Sequence, residues 1–166
     1  MRVRPIYEDE SNLVEEVKFF SDLQTHTNYE HYRFRKLPIA YRIDAAAISV
    51  LSNRVEGYCE LKIRTCRIRD YETLILSLKK WRELMAFAEF GWSRLFVRWD
   101  DYDGVLDVGI DGPSIVTDVT FGGRIDRGDW QDQEPVIHLP TKNFRLLEIE
   151  RGETPHYKGD LNSWEV

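Results

Sequence analysis

Hydrophobic residues recur every three to four positions in two segments of the chain, and this spacing predicts two helices. The first predicted helix runs from Glu8 to Gln24, with Ser11 or Asn12 as its N-terminal cap. The second runs from Leu74 to Phe90 and ends before Gly91, a residue type that suits the C-cap. The apolar stripes consist of Leu13, Val17, Phe20 and Leu23 in the first helix and Leu74, Leu78, Trp81, Met85 and Ala88 in the second.

Alternation of apolar and polar residues predicts strands elsewhere, because successive side chains of a strand point to opposite faces. Two such runs, residues 41–50 and 58–64, flank a polar segment containing Asn53 and Gly57, which predicts a hairpin or a pairing of near neighbours in the sheet. In the second run, one face carries Cys59, Leu61 and Ile63, and the other carries Tyr58, Glu60, Lys62 and Arg64. In the first run, one face carries Arg42, Asp44 and Ala46, and the other carries Tyr41, Ile43 and Ala45.

Further strands are predicted on both sides of this hairpin. Residues 92–99 predict one strand, and residues 25–36 favour another, the alternative being that Tyr29, Tyr32 and Phe34 stack on nucleic-acid bases. The other predicted strands are an edge strand at 1–7, short strands at 105–110 and 115–121, and edge strands at 135–139 and 144–149. Residues 152–166 are expected to form a tail that Tyr157 and Trp164 dock.

The order of these elements predicts an α/β fold with a mixed central sheet flanked by helices over residues 1–100. Residues 101–166 are expected to add an acidic, β-rich C-terminal extension and tail to the same domain, and a chain of 166 residues fits one domain. No apolar run approaches the roughly 20 residues that span a bilayer, and no signal peptide is recognised, so we expect no membrane contact. Cys59 and Cys66 fit a reduced, cytoplasmic setting.

Charge is distributed unevenly along the chain, whose formal net charge is −6. Residues 1–99 carry 17 basic and 14 acidic side chains, residues 100–166 carry 6 and 15, and residues 31–82 carry 12 and 5. The net charge argues against a protein that coats DNA, whereas the local basic excess favours phosphate contacts. Arg64, Arg67 and Arg69 would follow a nucleic-acid backbone if their strand continues, and Lys80 is a further candidate. The alternative is that these residues only cover exposed faces.

Asp44, Glu60 and Lys62 are expected to meet on one face of the hairpin and to form a chemical site. Carboxylate oxygens are the ligands that Mg²⁺ and Mn²⁺ prefer. Lys62 lies roughly 6.7 Å beyond Glu60 on the same face, where it would orient or help to deprotonate a metal-bound water. The Glu-x-Lys spacing alone is unspecific, since residues 16–18 share it within a predicted helix. The alternative is a solvated strand face with a weak ion pair.

An aspartate on one strand, Glu-x-Lys on the next strand and a helix after it resemble the core of the PD-(D/E)XK nuclease superfamily. The resemblance covers roughly residues 10–100. Within it, the layout of residues 60–64, 78–81 and 97–99 is similar to that of uncharacterised phage-type members. Ile43 stands where the superfamily usually has the proline before the aspartate. The resemblance implies a restriction-endonuclease-like core.

The resemblance also implies a metal-dependent nuclease that hydrolyses phosphodiester bonds in DNA, with RNA and the choice between endonuclease and exonuclease left open. Asp44 and Glu60 would bind Mg²⁺ or Mn²⁺, with the Leu61 carbonyl as a further ligand. Glu16 would supply another acidic group from the preceding helix, with Glu15 as the second choice. A phage-encoded nuclease would act in the host cytoplasm, and a homo-oligomer is left open. The alternatives are a catalytically inactive nucleic-acid-binding or assembly module on the same fold, and a small structural protein.

Overall fold

Two β-sheets and the helices packed on them make up the part of the chain that the structure, a computed structural model, describes: residues 9–109, 112–123 and 133–166. The helices are α1 (Glu10–Leu23), α2 (Leu78–Phe87) and the single turn α3 (Gly112–Ile115). The strands are β1 (Tyr32–Lys36), β2 (Ala45–Ser49), β3 (Val55–Ile63), β4 (Thr73–Ser77), β5 (Trp92–Arg98), β6 (Asp103–Asp107), β7 (Asp118–Gly123), β8 (Gln133–Pro140) and β9 (Arg145–Leu147). None of the helices in these ranges is long and apolar enough to cross a membrane.

The main sheet has six strands in the order β1-β2-β3-β5-β6-β9, and a smaller sheet has the order β4-β8-β7. Neighbouring strands are antiparallel except β3 and β5, which run parallel with Glu60 opposite Leu95. A parallel pair needs a crossover, and here β4 and α2 supply it. The predicted α/β class with a mixed sheet is confirmed.

The predicted hairpin is formed by β2 and β3, with Ala45 opposite Cys59. Asn53 has the left-handed backbone conformation, with φ of 57°, and supplies the turn. Gly57 lies inside β3 rather than in the turn. A glycine is needed there because a Cβ at this position would collide with the ring of Trp92 on β5. The register shifts between Ala47 and Ile48, which shows a bulge on β2.

Each face of the main sheet carries its own hydrophobic core. One core packs α1 on the sheet and includes Cys59 and Leu61, with Ile63 against it. The other core packs α2 and the small sheet and has Tyr58 at its margin. The predicted alternation of β3 is therefore confirmed, and the fold places helices on both faces.

The predicted alternation before Asp44 is wrong. Ile43 packs in the α2 core and Ala45 in the α1 core, although one face was predicted for both. The reason is that the strand begins only at Ala45. The chain before it forms a 3-10 turn followed by Arg42, whose φ of 60° turns the backbone.

The boundaries of both predicted helices also need correction. Asp9, not Ser11 or Asn12, caps α1, because its carboxylate accepts a hydrogen bond from the Asn12 amide at 2.9 Å. The residues before Leu78 form β4, since they pair with β8 and alternate between buried and exposed positions. Helix α2 has Ala88 as its C-cap instead of Gly91.

Residues 25–36 end in a strand, as predicted, but only from Tyr32 onward. Tyr29 and Phe34 are fully buried, and Tyr32 is 8% exposed. These rings belong to the α1 core, which removes them from the surface where bases would stack.

The last third of the chain is built into both sheets. Strands β6 and β9 extend the main sheet beyond β5, whereas β7 and β8 belong to the small sheet, in which β8 pairs with β4. Strand β8 was predicted as an edge strand and is instead central, because β4 and β7 pair with its two sides. Trp164 is fully buried, so the tail docks as predicted. The division at residue 100 stays a prediction, and the predictions for residues 1–8 and for Ile110 lie outside the described residues.

Candidate active site

A cleft of about 760 Å³ opens where β1 ends, β2 begins and β3 continues past both. Its walls come from α1, the loop after β1, the second half of β3 and the start of α2. The predicted residues Glu16, Asp44, Glu60, Leu61, Lys62, Arg64 and Lys80 all line it. The hairpin sets this arrangement, because β3 extends beyond β2, and residues 60–63 pair with β5 but have no strand partner on the side of Asp44.

Asp44 is held rigidly at the start of β2, and it is only 6% exposed. Its amide donates to the Cys59 carbonyl at 3.0 Å, and its Oδ2 accepts from the Leu61 amide at 2.7 Å. Burial opposes ionisation, but the charges of Lys80, Lys36 and Lys62, together with the Leu61 hydrogen bond, lower the pKa of Asp44. Asp44 is therefore a carboxylate at neutral pH.

Glu60 is completely buried on the α2 side of β3. Its Oε1 forms salt bridges with two lysines, Lys62 at 3.0 Å and Lys80 at 2.5 Å, and Lys80 also donates a hydrogen bond to it. Its Oε2 is buried with no hydrogen-bond partner among the described residues. Burial, followed by the charge of Asp44, raises the pKa of Glu60. A buried carboxylate oxygen without a partner is costly, so this atom is suited to a cation or a donor from outside the chain.

Glu16 reaches the same cleft from α1. Lys36 Nζ lies 3.0 Å from Glu16 and 3.7 Å from Asp44 Oδ1, and Trp164 Nε1 donates to Glu16 Oε2 at 2.9 Å. Burial, followed by the charge of Asp44, raises the pKa of Glu16 to about 8 despite the contact with Lys36. Glu15, the second choice, also lines the cleft but is exposed.

Lys36 and Trp164 are the two site residues that the sequence did not predict as such. Lys36 is 7% exposed, and its position at the end of β1, two residues after buried Phe34, places it on the inward face. The alternation of buried and exposed side chains along β1 was the only local signal that Lys36 faces inward. Trp164 was predicted to dock the tail, but no local pattern connects it to Glu16, which lies 148 residues away.

The three arginines proposed for phosphate contact do not lie together. Strand β3 ends at Ile63, so the continued strand that the prediction required is absent. Arg64 lines the cleft, and its guanidinium donates to the Ile75 carbonyl at 2.9 Å. Arg67 and Arg69 are exposed around the 3-10 turn at residues 68–70, away from the cleft lining. Their role in binding nucleic acid stays a prediction.

The donor set of the cleft fits a hard divalent cation. Within the described ranges, no three or more His, Cys, Asp or Glu side chains are grouped as a ready-made metal cage. Mg²⁺ does not require one, since it is often held by one or two carboxylates together with substrate phosphate. Asp44 and the unpartnered oxygen of Glu60 match that requirement. The Leu61 carbonyl points to the same side as its amide, towards Asp44.

Comparison with known proteins identifies the family. A family model described as "Phage putative PDDEXK endonuclease" matches residues 2–147 of the chain. The chain belongs to this PDDEXK family. No curated protein and no solved structure matches it.

Membership of the PDDEXK family confirms the resemblance that the hairpin and its Glu-x-Lys predicted. The matched region is longer than the predicted one, because it continues past residue 100 to the end of β9. The α/β fold with its mixed six-stranded sheet is consistent with a restriction-endonuclease-like core. All predicted metal ligands lie inside the matched region, whereas Trp164 lies beyond it.

Proposed function

We propose that this PDDEXK-family protein is a metal-dependent nuclease that hydrolyses phosphodiester bonds in DNA. The observation that supports this best is the buried Glu60 Oε2, which lacks a partner among the described residues and belongs to a cleft shared with an ionised Asp44. Two carboxylates in a cleft of about 760 Å³, within a family described as "Phage putative PDDEXK endonuclease", favour phosphodiester chemistry.

In this proposal, Asp44 and Glu60 bind Mg²⁺ or Mn²⁺, with the Leu61 carbonyl as a further ligand and Glu16 as another acidic group of the site. The metal would polarise the scissile phosphate and lower the pKa of the attacking water. The Leu61 amide fixes Asp44, and Lys80 fixes Glu60, so both carboxylates are oriented before anything binds.

Lys62 has the position of a group that acts on the substrate. Its ammonium lies 3.0 Å from Glu60 Oε1, and its side chain is 23% exposed to the cleft. From there it would hold the attacking water or donate to a phosphate oxygen as negative charge develops. Arg42, Arg64 and Lys79 line the same cleft and would contact neighbouring phosphates.

Cleavage of supercoiled plasmid and of single-stranded DNA and RNA with Mg²⁺ or Mn²⁺ tests the proposal. We expect metal-dependent nicking, and nicking of a closed circle would identify an endonuclease. Glu60→Gln should abolish it, because the amide removes the charge that attracts the cation. Glu15→Gln is the matched control, since it makes the same change at an exposed position of the same cleft and should retain activity.

Two results would contradict this function. Equal activity of Glu60→Gln and the parent protein would assign the cleavage to a contaminant or another site. DNA binding without cleavage in either metal would favour the inactive binding module on the same fold.

A further inference from the structure

The segment that follows the matched family region returns to the candidate site. This C-terminal segment, residues 148–166, is anchored at Arg151, whose guanidinium donates to the Trp99 carbonyl at 2.6 Å. The next amide, that of Gly152, donates to Asp22 of α1 at 3.1 Å. The anchor directs the segment along α1 and towards β1.

The end of the segment pairs with the outer side of β1. The Phe34 amide donates to the Val166 carbonyl at 2.7 Å, and the Val166 amide donates back at 2.9 Å. The Lys36 amide donates to the Trp164 carbonyl at 2.9 Å. Strand β1 is an edge strand of the main sheet, and these bonds hold Trp164 beside Lys36 at its end.

Among the described residues, the indole of Trp164 donates one hydrogen bond and otherwise lies in the apolar α1 core. Its ring is fully buried and packs on Phe20, with 5.2 Å between ring centroids. Its Nε1 donates to Glu16 Oε2 at 2.9 Å, while Lys36 holds the Glu16 carboxylate from the other side. A buried carboxylate with donors on both oxygens has little freedom to rotate.

We propose that Trp164 is a positioning residue, which holds the Glu16 carboxylate and, through Lys36, the Asp44 carboxylate in the orientation that binds the divalent cation. This inference rests on the proposed nuclease function. Outer groups that orient ligands commonly change metal affinity or activity by about 10-fold to 100-fold when they are removed. The C-terminal segment would therefore complete the active site, although it lies beyond the family match.

Trp164→Phe tests this role, because it keeps an aromatic ring in the core and removes only the indole N–H. We expect Mn²⁺ affinity, measured by calorimetry, to fall by about 10-fold or more. The kcat for DNA cleavage should fall while KM for DNA stays unchanged, since the variant leaves the basic residues of the cleft in place.

Phe20→Leu is the control for packing, because it disturbs the ring that Trp164 contacts and leaves the indole hydrogen bond intact. It should lower the melting temperature and retain the parental Mn²⁺ affinity. If both variants lose affinity in proportion to their loss of stability, Trp164 only fills the core and the inference is wrong. It is also wrong if Trp164→Phe binds Mn²⁺ as the parent does.

A measurement on the parent protein covers the case in which Trp164→Phe does not fold. In a ¹H–¹⁵N spectrum, the Trp164 indole signal should shift on addition of Mg²⁺, whereas that of Trp92, which donates to Tyr32 instead of a carboxylate, should not. An unmoved Trp164 signal while Mg²⁺ binds overturns the positioning role alone. If the parent protein binds neither Mg²⁺ nor Mn²⁺, the proposed function and this inference are both wrong. Cation binding to the parent protein is therefore measured before any variant is made.

Discussion

At the scale of residues, the cleft alternates acidic and basic side chains. Lys36 lies between Glu16 and Asp44, and Lys62 and Lys80 share one oxygen of Glu60. The lysines balance charges that would otherwise repel each other in a buried place. The pKa of Asp44 is lowered, whereas the pKa values of Glu16 and Glu60 are raised, so Asp44 releases its proton at a lower pH than the two glutamates.

Lys62→Ala should reduce the rate of DNA cleavage by about 100-fold or more while Mn²⁺ affinity largely survives. The reason is that Lys80 remains to hold Glu60, whereas the partly exposed ammonium proposed to act on the substrate is lost. Single-turnover cleavage and calorimetry measure the two quantities, and Lys142→Ala, at an exposed position outside the cleft, is the control. An unchanged rate would return Lys62 to the solvated-face interpretation.

Stability of the metal-free protein should depend on pH through Glu16. Unfolded Glu16 loses its proton above 4.5, whereas the folded residue keeps it up to about 8. Between these values the folded state binds more protons, so the free energy of unfolding should fall as pH rises through this window. Urea unfolding at about pH 5 and about pH 8 measures this difference in the free energy of unfolding.

Glu16→Gln should flatten this dependence without removing it, because the raised pKa of Glu60 acts in the same direction. The lowered pKa of Asp44 acts only at more acidic pH, where stability is lost as pH falls. A parent protein whose stability rises from pH 5 to pH 8 would contradict the assignment of a raised pKa to Glu16.

At the scale of elements, local patterns predicted the hairpin and the three residues that it brings to the cleft. Asp44, Glu60 and Lys62 could be predicted because they lie within 19 positions of sequence and because strand alternation fixes the side that each faces. Strand β4 could not be distinguished from the helix after it, since Leu74 and Leu78 satisfy helical spacing while β8, the partner that makes β4 a strand, lies some 60 residues later. Lys36 and Trp164 were missed for the same reason.

The end of β3 at Ile63 gives the three arginines different expected roles in DNA binding. Arg64→Gln should weaken binding and reduce the slope of log affinity against log salt by about 1, because this residue lines the cleft. Replacing both Arg67 and Arg69 by Gln should reduce DNA affinity and the salt slope less than Arg64→Gln does. Fluorescence anisotropy at several salt concentrations measures both. If the double variant carries the whole loss, the DNA crosses the 3-10 turn rather than the cleft.

At the scale of the whole molecule, a buried ionic network joins parts that are distant in sequence. Arg98 on β5 pairs with Asp22 on α1 at 2.8 Å and with Asp103 on β6 at 2.7 Å. Arg151 reaches the same Asp103 at 3.2 Å. The network connects α1, the centre of the main sheet and the C-terminal segment, so the elements that carry Glu16 and Trp164 are held against each other. No local pattern predicts contacts of this kind, because partners up to 76 positions apart meet only after folding.

Cys59 lies next to Glu60 on β3, so the reactivity of its thiol can report the opening of this strand. The Cys59 thiol is fully buried, and burial raises the pKa of this thiol well above its usual range. The backbone carbonyl of Cys59 accepts a hydrogen bond from the Asp44 amide. An alkylating reagent needs an exposed thiolate, so it can reach Cys59 only during moments when β3 separates from its neighbours. Cys66, half-buried after the end of the strand, provides an internal reference for reagent reactivity. The ratio of the two labelling rates therefore gives the fraction of time for which the hairpin of β2 and β3 is open in the native protein, without a mutation or a bound substrate.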